Sequence, residues 1–167
     1  MLGHSRLPKV EDRPRLKYVD RVVQETLRWG PVTPIAVPHT CFKDDIYKSY
    51  RIPKGAIVMG NVWAMTCDKN VYKDPEVFEP DRYLDPATPF SPVFGWGRRH
   101  SSWTIITLHY DRLYFDDVRY RTIIDSDGKE VLPSGKMINA IVLTPERFEF
   151  ELTPRSAKHE ELIRGGL

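Results

Sequence analysis

The sequence predicts a mixed α+β fold, with one long helix, short β-hairpins, a proline-rich meander and strands in the last third of the chain. Three observations carry this. Leu16, Val19, Val22, Val23 and Leu27 step by three and four, which places them on one face of a helix. The 167 residues include 14 prolines, well above the ~5% of average usage, so the elements are many and short and a long helical bundle is excluded. Short β-branched and aromatic runs are bounded by turn residues, as strands are.

Each element follows in order. Asp12 and Pro14 are expected to cap and open the first helix, and Gly30 and Pro31 to stop it after roughly four turns. Pro31, Pro34, Pro38 and Pro53 then separate runs such as Ile46–Ile52 and Ala56–Met59, read as strands of four to six residues with a hairpin pivoting on Ile52-Pro53-Lys54-Gly55. Asn61 to Cys67 reads as a short helix. From Asp68 to Pro92 five prolines break the chain into a meander, and an ordered loop of that length usually serves function or a partner surface. Asp125-Ser126-Asp127-Gly128 is a hairpin turn, and Arg147 to Leu152 alternates as an edge strand does. Trp103 to Leu113 fits strand or helix equally.

Composition limits the function. Lys plus Arg is 25 and Asp plus Glu is 23, and the formal net charge of +2 is too balanced to draw the chain onto nucleic acid or anionic lipid. No apolar run approaches the ~20 residues that cross a bilayer, and the charged first twenty residues are unlike a signal peptide. Cys41 and Cys67 are the only cysteines, so at most one intramolecular disulfide exists and a reducing compartment is favoured. His39-x-Cys41 with His4, His100, His109 and His159 lacks the close ligand pairs of a zinc site.

Glu25 and Arg28, three apart on the helix, are by themselves an ordinary surface pair. Their company is informative: the Ile52–Gly55 turn, Phe78-Glu79-Pro80-Asp81-Arg82-Tyr83, and Phe94-Gly95-Trp96-Gly97-Arg98-Arg99 follow in order. This series resembles the C-terminal portion of the cytochrome P-450 family, the haem-thiolate monooxygenases, best over residues 7–100, disrupted over 101–114 and weaker over 115–164. The resemblance implies one partial domain over 1–167 and a C-terminal fragment of a mainly α fold. It implies an oxidoreductase that inserts one oxygen atom from O2 into an organic substrate, with haem iron as cofactor and an NADPH-dependent reductase as partner. It further implies a structural network of Glu25, Arg28 and Arg82, haem-propionate partners at Arg99 and His39, and a haem-binding turn containing Phe94 and Gly97. Val32 to Val37 and the tip from Ser134 to Ile138 would line the substrate pocket.

The departure falls at the metal ligand. The family pattern Phe-x-x-Gly-x-Arg-x-Cys is met by Phe94, Gly97 and Arg99, but Ser101 stands where the cysteine is expected and Trp103 where a glycine follows. A short deletion spanning the ligand accounts for both changes. A serine hydroxyl cannot donate electron density to iron as a thiolate does, so oxygen activation is expected to fail. A histidine ligand at His100 would impose different electronics, and a position beside the motif's ligand need not point at the metal, so no metal ligand is assigned. The chain also starts too late for the family's oxygen-activating helix, or for an N-terminal membrane anchor such as an intact member may carry, and is expected to be a truncated, inactive fragment. The alternative is a non-enzymatic binding module that uses the basic Gly95–Arg99 loop for an anionic partner.

Overall fold

A computed structural model describes residues 6, 9–96, 118–138 and 142–165. Its elements are mixed helix and strand, as the sequence predicts. A 3-10 helix at Val10–Arg15 leads into α1 at Lys17–Trp29. Asp12 does not cap α1. It lies in the preceding 3-10 turn, where its carboxylate accepts two hydrogen bonds from Arg6, at 2.6 and 2.8 Å, and one from the Lys9 N–H. The helix instead begins after Leu16, which is buried together with Val23 of the same stripe. At its other end the Gly30 N–H closes on the Thr26 carbonyl at 3.0 Å.

The strands after α1 are shorter than expected. β1 at His39–Thr40 pairs antiparallel with β4 at Ile57–Val58, and β2 at Asp45–Tyr47 with β3 at Tyr50–Ile52. The run Ile46–Ile52 is therefore a hairpin and not one strand. Its pivot is Lys48-Ser49, both at positive φ (47° and 68°), the geometry that matches the twist of a two-residue hairpin. The expected turn at Gly55 exists, shifted by one residue: the Ala56 N–H reaches the Pro53 carbonyl, and Gly55 at φ 87° leads the chain into β4. α2 at Val62–Thr66 is capped by Asn61, whose Oδ1 accepts the Ala64 N–H at 3.0 Å.

The meander carries 3-10 turns at Pro80–Leu84 and Pro92–Phe94. Beyond it, β5 at Val118–Ile124 is the middle of a three-stranded sheet, with β6 at Glu130–Val131 on one side and β9 at Phe150–Pro154 on the other. The predicted Asp125–Gly128 turn joins β5 to β6, with Gly128 at φ 76°, and β9 is an edge strand displaced three residues from its expected start. β7 at Met137–Ile138 pairs with β8 at Thr144–Pro145. α3 at Ala157–Gly165 was not expected from the sequence.

Few apolar side chains are fully buried among the described residues: Leu16, Val23, Val62 and Tyr72 lead. The centre of this part of the fold is polar instead. Glu25 is 0% exposed and Arg28 1%.

Candidate functional site

α1 presents two faces. Its apolar stripe turns one way, and Arg21, Gln24, Glu25 and Arg28 turn toward the meander. Arg28 donates through Nε to Glu25 Oε2 at 2.8 Å and through Nη2 to Oε1 at 2.7 Å. Its remaining N–H groups go to the carbonyls of Thr66 at 3.0 Å, Pro75 at 2.9 Å and Val77 at 3.3 Å. All five guanidinium donors are thereby used, as a fully buried arginine requires.

Arg82 reaches the same carboxylate from the meander, its Nε shared between both Glu25 oxygens at 3.1 Å. Its other nitrogens bond to the carbonyls of Lys73 at 2.6 Å, Val77 at 3.0 Å and Asp74 at 3.4 Å. The Glu79 N–H supplies a further donor to Glu25 Oε1 at 2.9 Å. One carboxylate thus gathers two guanidiniums and a backbone amide. The guanidiniums in turn satisfy carbonyls that an irregular loop cannot pair with itself, which is what lets a proline-broken chain fold tightly.

Electrostatics follow this geometry. Burial works to raise the Glu25 pKa, but the Arg28 hydrogen bond, the Glu79 N–H and the charges of Arg28 and Arg82 outweigh it and hold the carboxyl below its ordinary range. Burial likewise works to lower the Arg28 pKa, and Glu25 reverses the sign. Tyr72, with the Arg28 guanidinium carbon 5.4 Å from its ring centroid, is pushed up by burial. Tyr83, whose hydroxyl points at the Gln24 carbonyl, is pushed up further by burial and by the nearby Glu25 charge.

Outside this network the meander is held by Arg21, which forks onto Asp81 at 2.9 and 3.1 Å, and by Trp29, whose indole N–H donates to the Glu76 carbonyl while its ring meets Phe78 edge-on.

His39 lies exposed on β1 opposite Val58. Phe94 closes the last described 3-10 turn and is half-buried, and Gly95 beside it adopts φ 86°. That turn packs against α1 and α2, and Trp96 lies directly over Gly60, two residues past the strand partner of His39. Gly97, Arg99, His100, Ser101 and Trp103 lie outside the described residues.

The two expected pocket-wall segments are brought together. The Leu143 N–H, just before β8, donates to the Val32 carbonyl at 2.9 Å, and β8 pairs with β7 at the Ser134–Ile138 tip. The Trp63 N–H donates to the Pro34 carbonyl from the other side. Sequence reasoning missed this tie, which leaves no signature in side chains.

A haem needs an axial ligand and donors for its carboxylates. The exposed imidazole of His39 is a donor of the kind such carboxylates take. Neither cysteine stands in the Phe94–Trp96 turn: the Cys41 thiol donates to the Lys43 carbonyl at 3.0 Å, and Cys67 closes the end of α2. The described residues therefore include a donor suited to the group's carboxylates, and neither cysteine lies in the Phe94–Trp96 turn. Among the described residues no helix is long and apolar enough to cross a membrane.

Comparison with known proteins follows the same outline. A family profile described as Cytochrome P450 matches residues 1–100. Cytochrome P450 monooxygenase ple1 from Rhodocybe pseudopiperita is 38% identical over 177 aligned residues, covering 96% of this chain and 33% of its own. Cytochrome P450 monooxygenase claR from Ampulloclitocybe clavipes is 35% identical, covering 98% of this chain and 32% of its own. A solved zebra fish cytochrome P450 with abiraterone superposes with a TM-score of 0.82 at 30% identity, over 93% of this chain and 38% of that one. The chain thus spans about a third of the length of the relatives it matches.

Proposed function

This chain belongs to the cytochrome P450 family, whose cofactor is haem, and from that premise we propose that its residues form one continuous piece of a monooxygenase domain, framing the rim of the haem. The observation that carries this reading is the Glu25, Arg28 and Arg82 network, which fixes the meander to α1 just ahead of the Phe94–Trp96 turn. His39 and Arg99 are assigned to the haem carboxylates, because imidazole and guanidinium N–H groups make charge-assisted bonds to carboxylate oxygens. Phe94 and Gly97 belong to the turn that shapes the haem-binding loop. Val32 to Val37, with the Ser134–Ile138 tip, form one wall for a small organic substrate, and an NADPH-dependent reductase supplies electrons.

When bound through a thiolate, haem supplies oxygen activation by electron donation from sulfur. This chain offers Ser101 at that position, and we assign it no haem-thiolate centre as written. Ser101→Cys alone does not restore one, because Trp103 takes the place of the glycine that lets the backbone turn around the ligand. The test is a haemin titration of the 167-residue chain and of Ser101→Cys, followed by reduction and carbon monoxide. Saturable absorbance changes without a thiolate-type Soret band are expected from both. A thiolate band from the native chain means that Cys41 or Cys67 is the ligand and overturns the axial assignment; a band from Ser101→Cys alone overturns the argument from Trp103. No saturable haemin binding overturns the rim assignment.

A further inference from the structure

Gly60 lies between β4 and α2, where the Val62 N–H folds back onto its carbonyl at 2.9 Å. A Cβ placed on Gly60 would stand 2.3 Å from Trp96 Cη2, 2.8 Å from Cζ3 and 3.4 Å from Cζ2. The first two distances are far inside van der Waals contact, so the six-membered ring of the indole occupies the volume that any other residue at position 60 would fill. The contact joins two segments that share no backbone hydrogen bond among the described residues: the turn at Phe94–Trp96 and the link leaving β4, the strand that holds His39 in register through Val58. Gly55, by contrast, has an unusual backbone, φ 87°, and nothing within 4 Å of a Cβ. The two glycines separate close approach from backbone strain.

We infer that Gly60 is a positioning residue: its missing side chain seats Trp96, and this seat sets the distance between the Phe94–Trp96 turn and the β1–β4 pair that carries His39. The functional consequence rests on the haem-rim reading above, since one side of the seat carries His39, assigned to a haem carboxylate, and the other Phe94, assigned to the haem-binding turn. An alanine at position 60 expels the indole and separates those sides.

The experiment uses the full chain labelled with 5-fluorotryptophan, with the Trp96 fluorine resonance assigned from Trp96→Phe. The Trp96 line and the haemin half-saturation concentration are measured for the native chain, Gly60→Ala and Gly55→Ala. Gly60→Ala is expected to shift the Trp96 line and to raise half-saturation at least about fivefold. Gly55→Ala is expected to leave the line in place and half-saturation within about twofold, while lowering thermal stability through backbone strain. Adding Trp96→Phe to Gly60→Ala, which trims the ring that clashes, is expected to recover part of the lost haemin affinity. An unmoved Trp96 line in Gly60→Ala overturns the seat; a moved line with unchanged half-saturation overturns its role at the rim. If the native chain binds no haemin, the rim reading fails, and the Trp96 line alone decides the seat. A Gly60→Ala chain that does not fold is replaced by Trp96→Ala, which empties the seat without a clash and is expected to raise half-saturation in the same direction; no rise overturns the role at the rim.

Discussion

Replacing Arg82 by alanine tests whether the meander depends on the shared carboxylate. The substitution removes the bifurcated bond to Glu25 and three bonds to the carbonyls of Lys73, Asp74 and Val77. Glu25 keeps Arg28 and the Glu79 N–H, so its charge is not orphaned. The carbonyl bonds lie near solvent and water replaces them in part. The estimate is therefore at the low end of the 3–5 kcal/mol that breaking a buried pair costs, about 3 kcal/mol. Glu25→Ala is worse, about 5 kcal/mol, because it leaves two guanidiniums facing each other with no anion. The assay is amide hydrogen exchange at Glu79, whose N–H points at Glu25 and reports opening of the meander directly. At about 1.4 kcal/mol per decade, Arg82→Ala should accelerate that exchange roughly a hundredfold, whereas Glu25→Ala, which also removes the acceptor of the Glu79 N–H, is read by thermal unfolding and should melt below Arg82→Ala. Arg82→Lys keeps the charge but not the fork and should fall between the native chain and Arg82→Ala. An Arg82→Ala chain whose Glu79 protection stays within about twofold of native would refute the reasoning.

Acid provides a second check. Asp12 is held down to about 2 by its bonds from Arg6 and the Lys9 N–H, and Glu25 also titrates below its ordinary value. For a depressed carboxyl the stabilisation is complete above the unfolded-state pKa and is lost as pH falls through the folded one, so unfolding temperature should decline from about pH 4 toward pH 2. Asp12→Asn should flatten the lower part of that decline; an unchanged profile would count against the Arg6 pairing. In a spectrophotometric titration Tyr72 and Tyr83 should ionise only above the ordinary tyrosine range, Tyr83 later than Tyr72, and ionisation of both within that range would contradict their burial. Finally, Phe42, Ile46 and Ile57 are each at least 70% exposed, and the full chain should enhance the fluorescence of a hydrophobic dye, whereas no enhancement would show those side chains covered in solution.

What the sequence could disclose depended on whether the cause was local. The α1 stripe was legible because periodicity belongs to the helix itself, and Asn61 announced α2 by its type. Asp12 misled because an aspartate ahead of a helix looks like a cap, while its actual partner, Arg6, precedes it in the chain. Lys48-Ser49 hid a hairpin because neither residue is a usual choice at positive φ and the flanking tyrosines and isoleucines suggested one continuous strand. α3 had a readable signal: Ser156 precedes Ala-Lys-His-Glu-Glu-Leu-Ile-Arg, and its Oγ bonds to His159 Nδ1 at 2.8 Å. Within the candidate site, Glu25 and Arg28 were visible as a helical pair. Arg82 became informative only through the order of the motifs, and the Gly60–Trp96 contact had no sequence signal.

The hydrogen bond from Leu143 to Val32 also has a meaning in time. A ribosome adding roughly 5–20 residues per second places Arg28 beside Glu25 at once and delivers Arg82 within several seconds. Leu143 follows Val32 by about 110 residues of synthesis, so for roughly 5–20 s the Val32 carbonyl waits without its partner. The meander can be fastened early, while the Val32 segment is tied to the β7–β8 hairpin only when the strands of the last third have emerged. A pause in translation between these points prolongs a state in which one side is built and the other is open to water and to chaperones.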